Sequence, residues 1–124
     1  MQKIKLKYNH KDNRGYIKDL LENKKINSIT LISQKKGKIR GNHFHKKTIQ
    51  WNYLLSGKII IYAKKKGQGV KKKILNKGDL VVTLKNESHA IKALKNSEFL
   101  VFTQGPRGGK EYETDTFRLK KPLV

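Results

Sequence analysis

Cysteine is absent from all 124 residues, which excludes disulfide cross-links, thiolate metal sites and thiol nucleophiles together. No apolar run approaches the length of a membrane span. The first residues, MQKIKLK, alternate charge with apolar side chains instead of forming the apolar centre of a signal peptide. A cytoplasmic protein without membrane contact is therefore expected. Hydrophobic residues are scarce at 35%, so the core must be compact or shared with a second copy. Acids are scarcer still, nine against 30 lysines and arginines, which leaves a formal charge of +21.

Such a charge alone suggests nucleic acid or an anionic surface as partner. Only four of the 30 cations are arginine, however, and the lysines gather where apolar segments break: Lys35, Lys36 and Lys38, Lys64 to Lys66, Lys71 to Lys73. These are the places of solvated hairpin tips, so no nucleic-acid partner is expected. The field would still attract a phosphorylated small molecule.

Between the breaks the chain runs in short apolar segments. Residues 3 to 8 alternate strictly, with Ile4, Leu6 and Tyr8 on one face of an expected edge strand. Residues 9 to 15 read as a turn, and 16 to 22 as a strand or one helical turn. Further strands are expected at 26 to 34, 49 to 55, 58 to 63, 70 to 75, 80 to 84, 89 to 94 and 99 to 103. Residues 59 to 62 are apolar on both faces, which calls for a cover on the outer side, expected from a second subunit. The run GPRGG at 105 to 109 reads as a connector. Strands at intervals of about 8 to 12 residues, without a long helical period, predict an all-β sandwich or barrel.

The candidate site lies in residues 37 to 57. His43 and His45, two apart in an extended segment, point to one face of a sheet, and His89 follows some strands later. From residue 49 to 55, Gln50, Asn52 and Leu54 share one face, and Ile49, Trp51, Tyr53 and Leu55 the other. Three half-buried histidines without a function are the plainer alternative. His10, in a polar turn, is expected at the surface.

Gly37, His43, His45, Gln50 and Gly57, at their spacing, resemble the first cupin motif, with Gln50 where a glutamate usually stands. Gly78, the segment Leu80 to Leu84, and His89 resemble the second, with Leu84 in place of its proline, Asn86 of its glycine and Ala93 of its terminal asparagine. This resemblance implies a cupin double-stranded β-helix, or jelly roll, as a single domain over residues 1–124 with the site inside the barrel. A narrower likeness joins Asp12, Arg14 and Gly15 to Gly37, Ile39, Arg40, Gly41 and His43. It is similar to the nucleotide-sugar cupins, the dTDP-4-keto-6-deoxyhexose 3,4-ketoisomerases and the dTDP-4-dehydrorhamnose 3,5-epimerases. The ketoisomerases fit better, because the epimerases tend to carry Gln at the position of His45. Tyr112 to Phe117 also resembles that family's terminal segment. The likeness implies an isomerase of nucleotide-linked 4-keto-6-deoxy sugars in surface-polysaccharide sugar biosynthesis, needing no cofactor and working as a homodimer.

The residues can be assigned roles by chemistry. A proton beside a sugar ketone is removed by a neutral imidazole within hydrogen-bond reach while positive donors steady the enolate oxygen. His43 is the expected base and His45 the acid or orienting group. Arg40 would grip a diphosphate or the enolate, with Gln50, Tyr53, Tyr62 and His89 as further substrate-binding candidates. Tyr53 and Tyr62 are also natural packing residues, as is Trp51, which would otherwise stack on a base or sugar. Two other readings use the same residues. His43, His45 and His89 would hold one divalent metal ion, with Gln50 as a weak fourth ligand, in a dioxygenase-like site, or the cupin would bind sugar without turning it over.

Overall fold

The alternation of apolar and polar side chains produces twelve strands in the computed structural model, which describes residues 1–107 and 110–124. They are β1 (Gln2–Ile4), β2 (His10–Asp12), β3 (Gly15–Ile17), β4 (Ser28–Gln34), β5 (Ile39–Phe44), β6 (Ile49–Ser56), β7 (Lys58–Lys64), β8 (Lys71–Asn76), β9 (Leu80–Thr83), β10 (Ser88–Ala93), β11 (Ser97–Gln104) and β12 (Phe117–Arg118). One helical turn, α1 (Glu111–Thr114), precedes the last. Two five-stranded sheets form the body, in the orders β1-β9-β6-β11-β4 and β12-β5-β10-β7-β8, with every pairing antiparallel. Strands distant in sequence lie side by side, as the expected jelly roll requires. No helix among the described residues is long and apolar enough to cross a membrane.

Side chains of alternate residues fill the space between the sheets. β7 sends Ile59, Ile61 and Ala63 inward and leaves Ile60 and Tyr62 on the outer face. Leu54, Ile59, Ile61, Leu75, Val81 and Phe99 close one end of the sandwich without solvent contact. Each such side chain contributes about 1.5–3 kcal/mol of transfer free energy. The other end stays open and holds the polar site. The β6–β7 hairpin turns at Gly57, whose φ of +88° is accessible to glycine at little cost and whose missing side chain lets Ser97 pack against the turn.

A second apolar cluster lies outside the first sheet, where Trp51, Leu80 and Val82 are covered by Ile4, Leu6, Leu21 and Ile26. Beyond this cover the same face is bare: Ile29 is 62% and Leu31 58% exposed, beside exposed Leu55 and half-buried Leu100 and Phe102. A bare apolar surface thus lies on β4, β6 and β11, in addition to the outer face of β7, where Ile60 and Tyr62 are half-buried and Ile74, paired with Ile60, is exposed. Tyr62 is flanked there by Lys72, 5.6 Å from its ring.

The N-terminal strand is shorter than its alternation suggests, since pairing with β9 ends at Ile4 while Tyr8 stands 52% exposed. Residues 9 to 17 form the separate β2–β3 hairpin in place of a plain turn, its tip held by Asp12, which accepts hydrogen bonds from Arg14 and pairs with exposed His10. The connector expected at 105 to 109 falls partly on Gly108 and Gly109, which lie outside the described residues. After it the chain adds regular structure that its sequence does not announce. β12 extends the second sheet at β5, Phe117 opposite Phe44 and Arg118 opposite His43. Asn42 ties this return down: its carbonyl accepts from the Leu119 amide at 2.9 Å and its Oδ1 from the Leu123 amide at 2.8 Å.

Candidate active site

Three imidazoles meet at the open end of the sandwich. His43 near the end of β5 stands opposite His89 of β10, and His45, two residues on, shares their face. Ring centroids are 4.8 Å apart for His43–His45 and for His43–His89, and 5.2 Å for His45–His89. The alternation of the strand thus brings together the three histidines expected to cooperate.

Two of the rings are oriented from behind. Nδ1 of His45 lies 2.8 Å from the Asp115 carbonyl oxygen, and Nδ1 of His89 lies 3.3 Å from that of Glu87. A carbonyl only accepts, so each Nδ1 carries the proton and each Nε2 is left with its lone pair. Nε2 of His45 is buried without a protein partner. Asp115 is itself fixed: its carboxylate, buried by surrounding protein, accepts from the Lys46 and Lys47 amides and from the Thr48 hydroxyl at 2.7 Å. Burial pushes its pKa up, but the hydrogen bonds from Thr48, Lys47 and Lys46 together outweigh burial and hold it below the usual carboxylate value.

His43 and His89 are neutral near pH 7. Burial, followed by the positive potential of His45 and Arg118, lowers the pKa of His43 to about 4. Full burial, with the neighbouring His43 and His45, lowers that of His89 to about 3.

The cavity in front of them measures about 390 Å³. Gln50 and Asn52 of β6 and Thr83 of β9 supply polar groups from the first sheet, with Gln50 opposite Thr83 in register. Arg40 lies on the cavity wall at the exposed end, its guanidinium donating to the Ser33 carbonyl at 3.2 Å. The C-terminal return completes the rim with Arg107, Tyr112, Glu113 and Arg118. Arg118 donates two hydrogen bonds to Glu113, at 3.0 and 3.2 Å, and the Arg107 guanidinium sits 5.0 Å from the Tyr112 ring.

Of the candidates, His43, His45, His89, Arg40 and Gln50 all line this cavity. Tyr53 and Tyr62 do not, which corrects their assignment as donors. Each is one residue out of step with an inward-facing neighbour, so the pleat turns its hydroxyl away from the site. Tyr53 packs on the outer cluster around Trp51, whose role is likewise packing. Asn52 and Thr83 could have been found from strand parity. Arg107, Glu113 and Arg118 arrive through the tail, and their signal in the sequence is the rarity of arginine.

Residues 10–117 match the model of a family described as the polysaccharide biosynthesis C-terminal domain. No curated protein matches the sequence. Among solved structures, the WlaRB TDP-quinovose 3,4-ketoisomerase from Campylobacter jejuni superposes with a TM-score of 0.80 at 23% identity, over 95% of this chain and 92% of that one. A mutant of the 3,4-ketoisomerase QdtA from Thermoanaerobacterium thermosaccharolyticum, in complex with TDP-4-keto-6-deoxyglucose, gives 0.76 at 22% identity, over 95% and 86%. The RmlC epimerase from Mycobacterium tuberculosis gives 0.77 at 14% identity, over 94% and 67%. At these identities the likeness is one of fold, and it is the cupin jelly roll that the sequence motifs implied.

Proposed function

The chain belongs to the polysaccharide biosynthesis C-terminal domain family, and on that premise we propose that it is a 3,4-ketoisomerase of nucleotide-linked 4-keto-6-deoxy sugars. The observation that carries this reading is the cluster of three imidazoles in a cavity rimmed by arginine. A ring nitrogen of His43 takes the proton from sugar carbon 3. The electron pair left behind forms the double bond between carbons 3 and 4, and the carbonyl electrons move to oxygen 4, giving an enediolate. Return of that proton to carbon 4, with transfer of the proton on oxygen 3 to oxygen 4, leaves the carbonyl at carbon 3 and a hydroxyl at carbon 4. The atoms balance without oxidant or reductant. His45, which lines the same cavity and whose Nε2 has no protein partner, is the second imidazole and shuttles the proton. Arg40 and the rim arginines counter the enediolate charge. Gln50, Asn52 and Thr83 offer amide and hydroxyl groups to sugar oxygens. The similar ketoisomerase structures in complex with TDP and with TDP-4-keto-6-deoxyglucose support thymidine diphosphate as the carrier.

A divalent metal ion is the second reading, favoured by the three histidines, whose ligand atoms lie within 4.8 Å of one another. His43, His45 and His89 would hold such an ion through imidazole nitrogens. Such an ion would polarise a bound carbonyl. The surroundings favour an anion instead, since three arginines line the cavity against one carboxylate, Glu113, already engaged with Arg118.

The bare face of β4, β6 and β11 supports a homodimer, because residues such as Ile29 and Leu31 are costly to leave in water. Sedimentation at moderate salt should give twice the chain mass of 14.4 kDa, and a monomer there would refute it. The test of activity is incubation with TDP-4-keto-6-deoxyglucose in the presence of a strong chelator. Appearance of the 3-keto sugar supports the ketoisomerase. Epimerisation without carbonyl transfer, or turnover abolished by the chelator and restored by metal, contradicts it.

A further inference from the structure

β5 and β10 turn their histidines inward, and by the pleat the residues beside them face the other way. Phe44, between His43 and His45, and Ser88, next to His89, line a second groove on the outer face of their sheet, with a volume of about 720 Å³ against about 390 Å³ for the histidine cavity. The chain's last residues form one wall with Leu119, Pro122 and Leu123, and the tip of the β7–β8 hairpin forms the other with Lys64 to Lys66 and Val70. Asn42 fixes the first wall at both ends. Its carbonyl and Oδ1 accept from the Leu119 and Leu123 amides, and its Nδ2 donates to a main-chain oxygen of Val124 at 3.2 Å. This wall lies past residue 117, where the family match ends, so the match does not account for it.

The lining joins two chemistries. Phe44, Val70, Leu119, Pro122 and Leu123 make an apolar floor that is left partly in water, Val70 and Pro122 being exposed and the other three half-buried. Four amines, those of Lys64, Lys65, Lys66 and Lys121, surround it, and no acid is among the described lining residues. The hairpin does not neutralise them, since residues 57 to 78 hold eight lysines and no acid. A concave apolar floor with a few polar groups at its edge has the form of a small-molecule site. One carboxylate would leave most of the rim charge unbalanced, whereas a phosphate monoester brings nearly two negative charges near pH 7. Lysines meet such a head group as point charges. The floor selects the body of the ligand. Phe44 already stacks on Phe117, with ring centroids 5.2 Å apart, and no other ring lines the groove, so the surface offered is mainly aliphatic and does not sandwich a nucleotide base.

We propose that this groove binds an aliphatic phosphate monoester, with the chain along Val70, Leu119 and Leu123 and the phosphate among the lysines. The site is separate from the histidine cavity and independent of the sugar chemistry assigned to it. It also lies on the other sheet from the bare face of β4, β6 and β11, so a dimer formed through that face leaves it open. Each methylene buried on the floor should raise affinity by about two- to fourfold. Attraction to surface lysines alone would give no dependence on chain length.

Calorimetric titration at about 0.15 M salt, where long-range attraction to scattered lysines is screened, tests the site with inorganic phosphate and with butyl, hexyl and octyl phosphate, each below its micelle concentration. Affinity should rise along the series, and octyl phosphate should shift the methyl NMR signals of Val70, Leu119 and Leu123 while those of Ile29 and Leu31 stay in place. Val70→Asp should flatten the series and weaken octyl phosphate by about tenfold. Lys65→Glu combined with Lys66→Glu should weaken every member by about tenfold. The three positions are exposed, and an unchanged melting temperature confirms that each variant is folded. Equal binding of inorganic and octyl phosphate, or no binding of either, overturns the proposal. Shifts confined to Ile29 and Leu31 would put the ligand on the bare face of the first sheet. Binding to anionic phospholipid vesicles without binding of monomeric octyl phosphate would make the lysines a membrane-facing patch. Either of these results also contradicts the assigned site.

Discussion

His43 and His89 face each other as paired residues of β5 and β10, with ring centroids 4.8 Å apart and ring planes at 86°. Neither can take a proton easily, because each is desolvated, and His43 and His45 add to the cost of charging His89. Their pKa values, about 4 and about 3, lie below the 6.5 of an unfolded histidine. The unfolded chain therefore binds protons that the native protein does not. The stability from these two groups is complete above pH 6.5 or so and is lost as pH falls toward 4 and below, at about 1.4 kcal/mol per pH unit for each histidine. Thermal melts between pH 7 and 4.5 should show this decline, and His89→Gln should remove about half of the slope. A melting temperature independent of pH over that interval would contradict the burial of neutral imidazoles.

Asp115 supports His45 through two different atoms, its carbonyl to the ring and its carboxylate to the turn that follows. Thr48→Val removes one donor and leaves the carboxylate partly unsatisfied, a loss of about 1–2 kcal/mol. Asp115→Ala leaves two amides and a hydroxyl without their acceptor and should cost about 3 kcal/mol or more. Chemical denaturation measures both. Equal, negligible losses would show that the turn is held by something else.

Gly41 and Gly67 both have positive φ, +93° and +78°, but only one is crowded. A Cβ on Gly41 would lie 2.9 Å from the His89 carbonyl oxygen and 3.1 Å from the Ala90 Cα, at the irregularity in the β5–β10 pairing. One on Gly67 would meet nothing within 4 Å. Gly67→Ala should cost about 1 kcal/mol from backbone strain alone. Gly41→Ala adds displacement of the His89 strand, so a loss of about 2–4 kcal/mol and reduced turnover are expected. Indistinguishable melting temperatures for the two variants would refute this difference.

Strand parity accounts for most of what could be read in the sequence. The two-residue spacing of His43 and His45 and the shared face of Gln50 and Asn52 follow directly from the pleat, and the cavity contains all four. The same parity argues against Tyr53 and Tyr62, whose phenols were nonetheless considered for their chemistry. The C-terminal return was opaque for a physical reason. β12 is two residues long and α1 a single turn, too short to show a period, and β12 and the residues after it are held by contacts to Asn42, His43 and Phe44 more than 70 residues earlier. The bare surface on β4, β6 and β11 is not legible in the sequence because it consists of alternate residues from three strands that are adjacent only in the folded sheet.

Base catalysis by His43 is tested most directly by solvent exchange into TDP-4-keto-6-deoxyglucose in deuterated water, followed by NMR, with wild type and His43→Asn compared at equal fold stability. Wild-type protein should exchange hydrogen beside the ketone and form the 3-keto sugar, and His43→Asn should fold and lose both by at least about a hundredfold. Exchange by His43→Asn at the wild-type rate would mean that another group removes the proton.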